Sequence, residues 1–271
     1  MTDPKHLYHL SQEARSLVVK MIYKAKASHI GGAFSVIDIL TSLYLGNILK
    51  VSPDSPDAPD RDRLIFSKGH CTSALYAVLA MKGFFSKDLL ERFGEDESLL
   101  LCHTSHHLPG VEFSTGSLGH GLSFATGCAL AAKRLSRTWK TYAILSDGEL
   151  NEGSTWEAIQ SAAHLRLNNL VAVIDANRSQ GLGNTDSVLK LTPLAGKFAA
   201  FNWDVIEIEG HDHEQILHAT SIDRSEHDSP LCIIAHTTKG KGVNFMEGKL
   251  EWHYRSPNEK ERDQALEQLS R

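Results

Sequence analysis

The segment YAILSDGELNEGSTWEAIQSAAHLRLNNLVAVIDAN, residues 142–177, decides the fold class of this chain. It contains two short apolar runs, at 142–145 and 170–174, and a helical stretch at about 153–167 separates them. A strand, a helix and a second strand in this order form a βαβ unit, in which the two strands are parallel. Both runs lack polar alternation, which is typical of strands that helices cover on both faces.

The same alternation continues outward over the rest of the chain. Further strands are predicted at 64–66, 205–208 and 231–234, and helices at about 10–25, 35–49, 71–82, 117–135, 212–221 and 258–270. The sequence therefore predicts an α/β fold, a parallel sheet covered by helices on both faces. No linker-like stretch divides the chain, so residues 1–271 are expected to form a single domain, with a long polar loop at 95–116.

Composition excludes several classes of function. The net charge is −5 without a basic run, which argues against nucleic-acid binding. The start of the chain has no apolar signal segment, and no apolar run approaches the roughly 20 residues of a membrane helix. Four scattered cysteines without a CxxC pair are typical of reduced thiols. We therefore expect a cytoplasmic protein that does not bind nucleic acid or membranes.

One edge of the predicted sheet carries a candidate metal site. Asp147 and Gly148 follow the first strand of the 142–177 unit, and Asn177 follows the second. Open parallel sheets bind ligands at this edge, and a carboxylate, an amide oxygen and a main-chain carbonyl suit Mg²⁺. Gly148 would let the backbone approach a phosphate closely. Each residue alone would more simply belong to an ordinary turn, so the prediction depends on their combination.

These motifs also carry a family resemblance. SDGELNEGSTWEA (146–158) followed by VIDANRSQGLG (173–183) resembles the thiamine-diphosphate motif, which is usually GDG with an Asn after the next strand. The match extends over nearly the whole chain through four further motifs, SHIGG (28–32), SKGH (67–70), LPGVEFSTGSLGHGLS (108–123) and TTKGKGVNFMEGKLEWH (237–253). In this order they resemble transketolases, above all the amino-terminal subunits of split transketolases.

The resemblance implies a role for individual residues. Magnesium would be held by Asp147, Asn177 and the main-chain oxygen of Ser179. Thiamine diphosphate would contact the motif residues His70, Gly116, Leu118, Gly148, Glu149, Asn177 and His253. Four histidines would serve catalysis, because imidazole can donate hydrogen bonds and move protons near neutral pH. His70 and His253 would lie near the diphosphate and the reaction centre, and His29 and His103 along the path of the sugar.

Five positions depart from the usual family pattern. Ser28, Cys102 and Ser146 each replace a glycine, His120 stands where glutamine is usual, and Tyr254 stands where glycine is common. Several of these positions are on the sugar-facing side, so the resemblance leaves the choice of sugar open. A zinc site formed by His103, His106 and His107 is an alternative use of the 95–116 loop.

The implied function is two-carbon ketol transfer from a ketose, or a ketose phosphate, to an aldose acceptor. The pyrimidine-binding and C-terminal domains of the family are not seen before Arg271, so we expect them on a second subunit, with two copies of each chain in a heterotetramer. Glu152 and Glu157 match interface glutamates, although helix N-terminal carboxylates explain them equally well.

Two other functions remain open from the sequence. One is a subunit of another thiamine-diphosphate enzyme, such as an acyloin synthase, a relative of deoxyxylulose-phosphate synthase or a 2-oxoacid dehydrogenase component. The other is a non-catalytic cofactor-binding subunit. The order of the motifs favours transketolase over the first, and the intact Asp147 and Asn177 argue against the second.

Overall fold

The computed structural model describes residues 2–270, so the two ends of the predicted domain, Met1 and Arg271, lie outside it. Its strands are β1 (Arg63–Phe66), β2 (Thr141–Ser146), β3 (Leu170–Ala176), β4 (Ser179–Gln180), β5 (Gly183–Asn184), β6 (Asp204–Glu209) and β7 (Leu231–His236). Five of them form a parallel sheet in the order β1-β2-β3-β7-β6, and β4 and β5 form a small antiparallel hairpin. All five predicted strands are confirmed.

The helices are α1 (Pro4–Ala25), α2 (Ile30–Tyr44), α3 (Thr72–Lys82), α4 (Gly121–Arg134), α5 (Gly153–His164), α6 (Thr185–Val188), α7 (Leu194–Ala200), α8 (His213–Ser221) and α9 (Glu259–Leu269). The predicted helices are confirmed, whereas α6 and α7 were not predicted because such short helices leave little periodicity to detect. Between residues 2 and 270, no helix combines the length and the apolarity that crossing a membrane requires. The 95–116 loop contains neither helix nor strand.

Both faces of the sheet are buried. Ile144, Val173 and Ile233 lie side by side in register on one face, in a core shared with α1, α2 and α3. The next residues along the same strands point to the opposite face, where Leu145 and Ile174 pack against α4, α5 and α7. Alternation along each strand therefore divides the apolar side chains between two cores, which confirms the predicted covered parallel sheet.

Helix α2 begins earlier than its sequence suggests. It starts at Ile30 instead of the predicted residue 35, and Gly31 and Gly32 form the first turn of a helix that is buried along its whole length. An added Cβ would lie 3.1 Å from Lys239 Cγ at Gly31 and 2.8 Å from Cys71 Sγ at Gly32. These glycines allow close packing rather than ending a helix, and they place the start of α2 beside the carboxyl edge of the sheet.

Candidate active site

A cavity of about 250 Å³ opens at the carboxyl edge of the sheet, where the segments after β1, β2, β3 and β7 meet. The register pairs Ser146 with Asp175, so the loops that follow β2 and β3 leave the sheet side by side. Eight of the predicted site residues line the cavity, namely His70, Gly116, Leu118, Asp147, Gly148, Asn177, Ser179 and His253. The structure thus brings together most of the residues that the motifs singled out.

Asp147 is a buried carboxylate, and no cationic side chain among residues 2–270 is bonded to it. Its Oδ1 accepts a hydrogen bond from the main-chain N–H of Gly148 at 2.7 Å, and its Oδ2 accepts one from that of Arg178 at 2.6 Å. Burial, and then the charge of Asp175, raises the pKa of Asp147 to about 7 despite these two bonds. A carboxylate in this environment is destabilised as an anion, and a nearby metal ion would stabilise it.

Asn177 presents its amide oxygen in a fixed orientation. Its Nδ2 donates to Ser35 Oγ at 3.2 Å and to Asp175 Oδ2 at 3.4 Å, so the amide nitrogen faces the buried interior. Its Oδ1 accepts from the main-chain N–H of Ser179 at 3.0 Å. Asp147, Asn177 and the Ser179 turn therefore offer oxygen atoms at one wall of the cavity, a donor set of the kind that fits Mg²⁺.

The zinc alternative is wrong. Within the described chain, no group of three or more histidine, cysteine, aspartate or glutamate side chains is arranged to hold a metal ion. His106 and His107 stack on each other with ring centroids 4.2 Å apart, and His106 Nδ1 lies 2.7 Å from Ser114 Oγ. The His103 ring lies instead beside that of His29, with the two ring centroids 6.4 Å apart.

An ion pair between Lys68 and Asp175 lies beneath the cavity. The Lys68 ammonium donates to Asp175 Oδ2 and to the main-chain oxygen of Gly32, the latter at 3.1 Å, and both charged side chains are fully buried. Burial alone would lower the pKa of Lys68, but the charge and hydrogen bond of Asp175, together with the charges of Cys71 and Asp147, outweigh it and the pKa is raised. Lys68 therefore remains a cation at the floor of the cavity.

A second lysine, Lys239, lines the same cavity. Its Nζ lies 3.2 Å from Ser179 Oγ and 2.9 Å from His253 Nδ1, to which it donates. Burial lowers the pKa of Lys239 to about 8, so its cationic form is partly destabilised. Sequence reasoning missed both lysines, because SKGH and TTKGKG were interpreted only through their histidines and glycines. The available signal was that each lysine follows the carboxyl end of a sheet strand.

The four predicted catalytic histidines form one cluster at the mouth of the cavity. The His29 ring lies 5.1 Å from that of His70, 5.0 Å from that of His253 and 6.4 Å from that of His103, measured between centroids. Burial lowers the pKa of His29 to about 4 and that of His253 to about 3, and it also holds the pKa of His70 well below its usual value. These three imidazoles are neutral at pH 7 and can both donate and accept hydrogen bonds.

Glu149 lies behind the cavity wall instead of lining the cavity. Its side chain is fully buried, and its Oε1 accepts hydrogen bonds from Ser67 Oγ and from the main-chain N–H of Gly119, the latter at 3.0 Å. The 3₁₀ turn at Asp147–Asn151 directs the side chain toward the 116–120 loop. Glu149 thus supports the loop that carries Gly116 and Leu118, while those two residues face the cavity.

Cationic, oxygen-bearing and small residues therefore surround one volume. An added Cβ at Gly148 would lie 3.1 Å from Gln180 Cγ, so the glycine keeps this wall free of side-chain atoms. Lys239 and the oxygens of Asp147 and Asn177 line the same cavity, a combination that suits an anion bound together with a divalent cation. Neutral histidines next to such a pair can position a polar substrate and transfer protons.

Comparison with known proteins identifies the family of this chain. Residues 8–270 match the family described as transketolase, thiamine diphosphate binding domain. The chain belongs to the transketolase family. Among its relatives, one of the subunits of an apulose-4-phosphate transketolase from Phocaeicola vulgatus is 44% identical over 261 residues, covering 96% of this chain and 92% of that protein. A 6-deoxy-6-sulfo-D-fructose transketolase subunit of a Clostridium species is 39% identical over 248 residues, covering 91% and 90%.

The solved structures show the same fold within longer chains. Transketolase from Campylobacter jejuni superposes with a TM-score of 0.92 at 31% identity, covering 100% of this chain and 43% of that one. This family member therefore spans less than half the length of that transketolase, whereas it matches nearly all of the relatives named as subunits. The predicted family and fold are confirmed by these matches.

We predict that His29 makes folding stability depend on pH. The unfolded chain takes up a proton at this side chain near pH 6.5, but the folded chain does so only near pH 4. The stability contributed by the neutral imidazole is therefore fully present above pH 6.5 and is lost as the pH falls toward 4. Denaturant unfolding of wild type and His29→Gln at several pH values should give a flatter slope for the variant, and equal slopes would contradict the assignment.

Proposed function

We propose that this chain is the thiamine-diphosphate- and Mg²⁺-binding subunit of a two-subunit transketolase. The complete enzyme would transfer a two-carbon ketol unit from a ketose, or a ketose phosphate, to an aldose acceptor. The observation that carries the proposal is that Asp147, Asn177 and Lys239 line one cavity. Close similarity to proteins named as transketolase subunits over almost their whole length supports it.

In this proposal, Asp147, Asn177 and the main-chain oxygen of Ser179 hold Mg²⁺. Gly148 and Lys239 face the diphosphate, and Gly116 and Leu118 face the rest of the cofactor, on the loop that Glu149 supports. Thiamine diphosphate, when bound, supplies the carbanion stabilisation that ketol transfer requires. The protein contributes orientation, a low-dielectric cavity and a fixed arrangement of charge.

The histidine cluster would handle the substrate. His70 and His253 line the cavity itself, and their lowered pKa values keep them neutral, so each can donate a hydrogen bond to a hydroxyl. His253 receives a hydrogen bond from Lys239 at Nδ1, which leaves Nε2 as the protonated, donating nitrogen. His29 and the more exposed His103 extend the cluster outward, where a sugar would enter.

The remaining part of the active site would come from a partner chain. We propose that residues 1–271 act as the diphosphate-binding domain and that a second subunit carries the pyrimidine-binding domain. Glu152 and Glu157 are exposed at the start of α5, beside the 116–120 loop, where a partner could contact them. A permanent complex would bury more than about 2,000 Å², and twofold symmetry favours two copies of each chain.

Four free thiols support a reducing, cytoplasmic location.

The sugar is proposed only as a class. Relatives are named for apulose-4-phosphate and for 6-deoxy-6-sulfo-D-fructose, which both carry an anionic group at the end remote from the carbonyl. We therefore propose a ketose with a terminal anionic group as the donor. Cys102 and His120 depart from the common pattern, and both are exposed. Cys102 precedes His103, and His120 Nδ1 lies 3.1 Å from the main-chain oxygen of Leu118, so we propose these as positions that set the choice of sugar.

We predict that Asp147→Ala weakens Mg²⁺-dependent binding of thiamine diphosphate by at least about tenfold, roughly 1.4 kcal/mol, because Mg²⁺ uses few protein carboxylates. Isothermal titration of the assembled complex with the cofactor, with and without Mg²⁺, measures the effect. Asp228→Ala is a matched control, since that side chain is 84% exposed. Unchanged affinity in Asp147→Ala would remove Asp147 from the metal site.

We predict that the chain alone has no ketol-transfer activity and that a pyrimidine-domain subunit encoded beside it restores activity. The test uses a host without its own transketolase, excess thiamine diphosphate and Mg²⁺, and donors that include apulose-4-phosphate and 6-deoxy-6-sulfo-D-fructose. Turnover by the isolated chain would contradict the two-subunit proposal. If the reconstituted pair binds the cofactor but decarboxylates 2-oxoacids, the proposed ketol transfer would be wrong, and the pair would catalyse another thiamine-diphosphate reaction.

A further inference from the structure

The segment that carries Lys239 into the cavity is anchored by two buried carboxylates. Thr237, directly after β7, donates its hydroxyl to Asp175 Oδ1. The main-chain N–H of Thr238 donates to His211 Nε2 at 2.7 Å. His211 in turn contacts Asp38, so the two residues before Lys239 are each held from the interior of the domain.

His211 is held in one tautomer by these contacts. Its Nε2 accepts from a main-chain N–H and therefore carries no proton, so the proton is on Nδ1. Nδ1 lies 2.6 Å from Asp38 Oδ2 and donates to it. The ring lies between β6 and α8, only 10% exposed, and links α2 to the segment after β7.

Asp38 is a fixed anchor for this link. Arg15 from α1 binds both of its oxygens, with Nη1 3.1 Å from Oδ1 and Nη2 2.5 Å from Oδ2, and both side chains are buried. Burial alone would raise the pKa of Asp38, but Arg15 and His211 hold it well below its usual range. The carboxylate therefore remains charged and keeps its orientation.

We propose that His211 is a positioning residue for Lys239, acting through the N–H of Thr238. The inference rests on the proposed function, in which Lys239 faces the diphosphate. Lys239 has a long side chain, and fixing it at 2.9 Å from His253 Nδ1 and 3.2 Å from Ser179 Oγ requires that its backbone be fixed first. Loss of the acceptor at His211 Nε2 leaves the Thr238 N–H without that partner and loosens the position of Lys239, although Thr237 stays bonded to Asp175.

Two substitutions at His211 test its two hydrogen bonds separately. Glutamine places its Oε1 the same number of bonds from Cα as His211 Nε2, so His211→Gln retains the acceptor for Thr238. Asparagine places its Nδ2 where His211 Nδ1 stands, so His211→Asn retains the donor to Asp38 and loses that acceptor. Both variants replace the imidazole ring by an open-chain amide and remove similar packing, which makes them a matched pair.

The first measurement needs no ligand. Nitrogen-15 spectra of histidine-labelled full-length chain report the Lys239 hydrogen bond at His253 Nδ1, with the resonance assigned through His253→Gln. We expect this resonance to move in His211→Asn and to stay near its wild-type position in His211→Gln. An unmoved resonance in His211→Asn, or equal shifts in both variants, would overturn the inference whatever the fate of the proposed function.

The second measurement uses inorganic pyrophosphate with Mg²⁺ as a probe of the diphosphate end of the cavity. Calorimetry should give affinity about tenfold weaker in His211→Asn than in His211→Gln, as expected for a weakened hydrogen bond to a charged group. In a Lys239→Met background this difference should disappear, because His211 then has nothing to position. A difference that persists there would overturn the inference, whereas failure of wild type to bind the probe would count against the proposed function alone.

Discussion

The buried ion pair between Lys68 and Asp175 is the interaction on which the site depends. Isolated charges cannot be buried without a large loss of solvation, so each of these two groups requires the other. Asp175 also accepts hydrogen bonds from Ser35 in α2 and from Thr237 after β7. One carboxylate at the end of β3 thereby joins the segments after β1 and β7 to the start of α2, and these segments form the cavity.

Asp147, the second carboxylate at the carboxyl edge of the sheet, is in a different electrostatic environment. Asp175 is paired with the Lys68 ammonium, whereas Asp147 accepts main-chain N–H bonds, from Gly148 and Arg178, and has a raised pKa. Lys239, which lines the same cavity, has a pKa lowered by burial, and within residues 2–270 no carboxylate is bonded to this cation. A divalent cation near Asp147 together with an anion near Lys239 would stabilise both groups, and a metal diphosphate is such a pair.

The part of the structure that depends on local sequence could be predicted. The strands and the long helices follow from apolar runs and periodicity, and parallel pairing alone places Asp147 and Asn177 at one edge. The rest depends on contacts between distant segments. Lys68 and Lys239 reach the cavity because β1 and β7 flank the two central strands. His211 contacts Asp38, 173 positions away in the chain, and local sequence gives no sign of this contact. Glu149 was placed in the cofactor site because its neighbours are there, but a tight turn directs it inward.

The central claim is that one metal ion and one diphosphate share the cavity at the ends of β2 and β3. Crystals of this chain assembled with its partner, grown with thiamine diphosphate and with Mn²⁺ in place of Mg²⁺, test it most directly, because anomalous scattering locates the metal without assumptions about its ligands. We expect one strong peak within coordination distance of Asp147 and Asn177, with the diphosphate between that peak and Lys239. A peak bound by other residues, or cofactor density outside the cavity, would contradict the account.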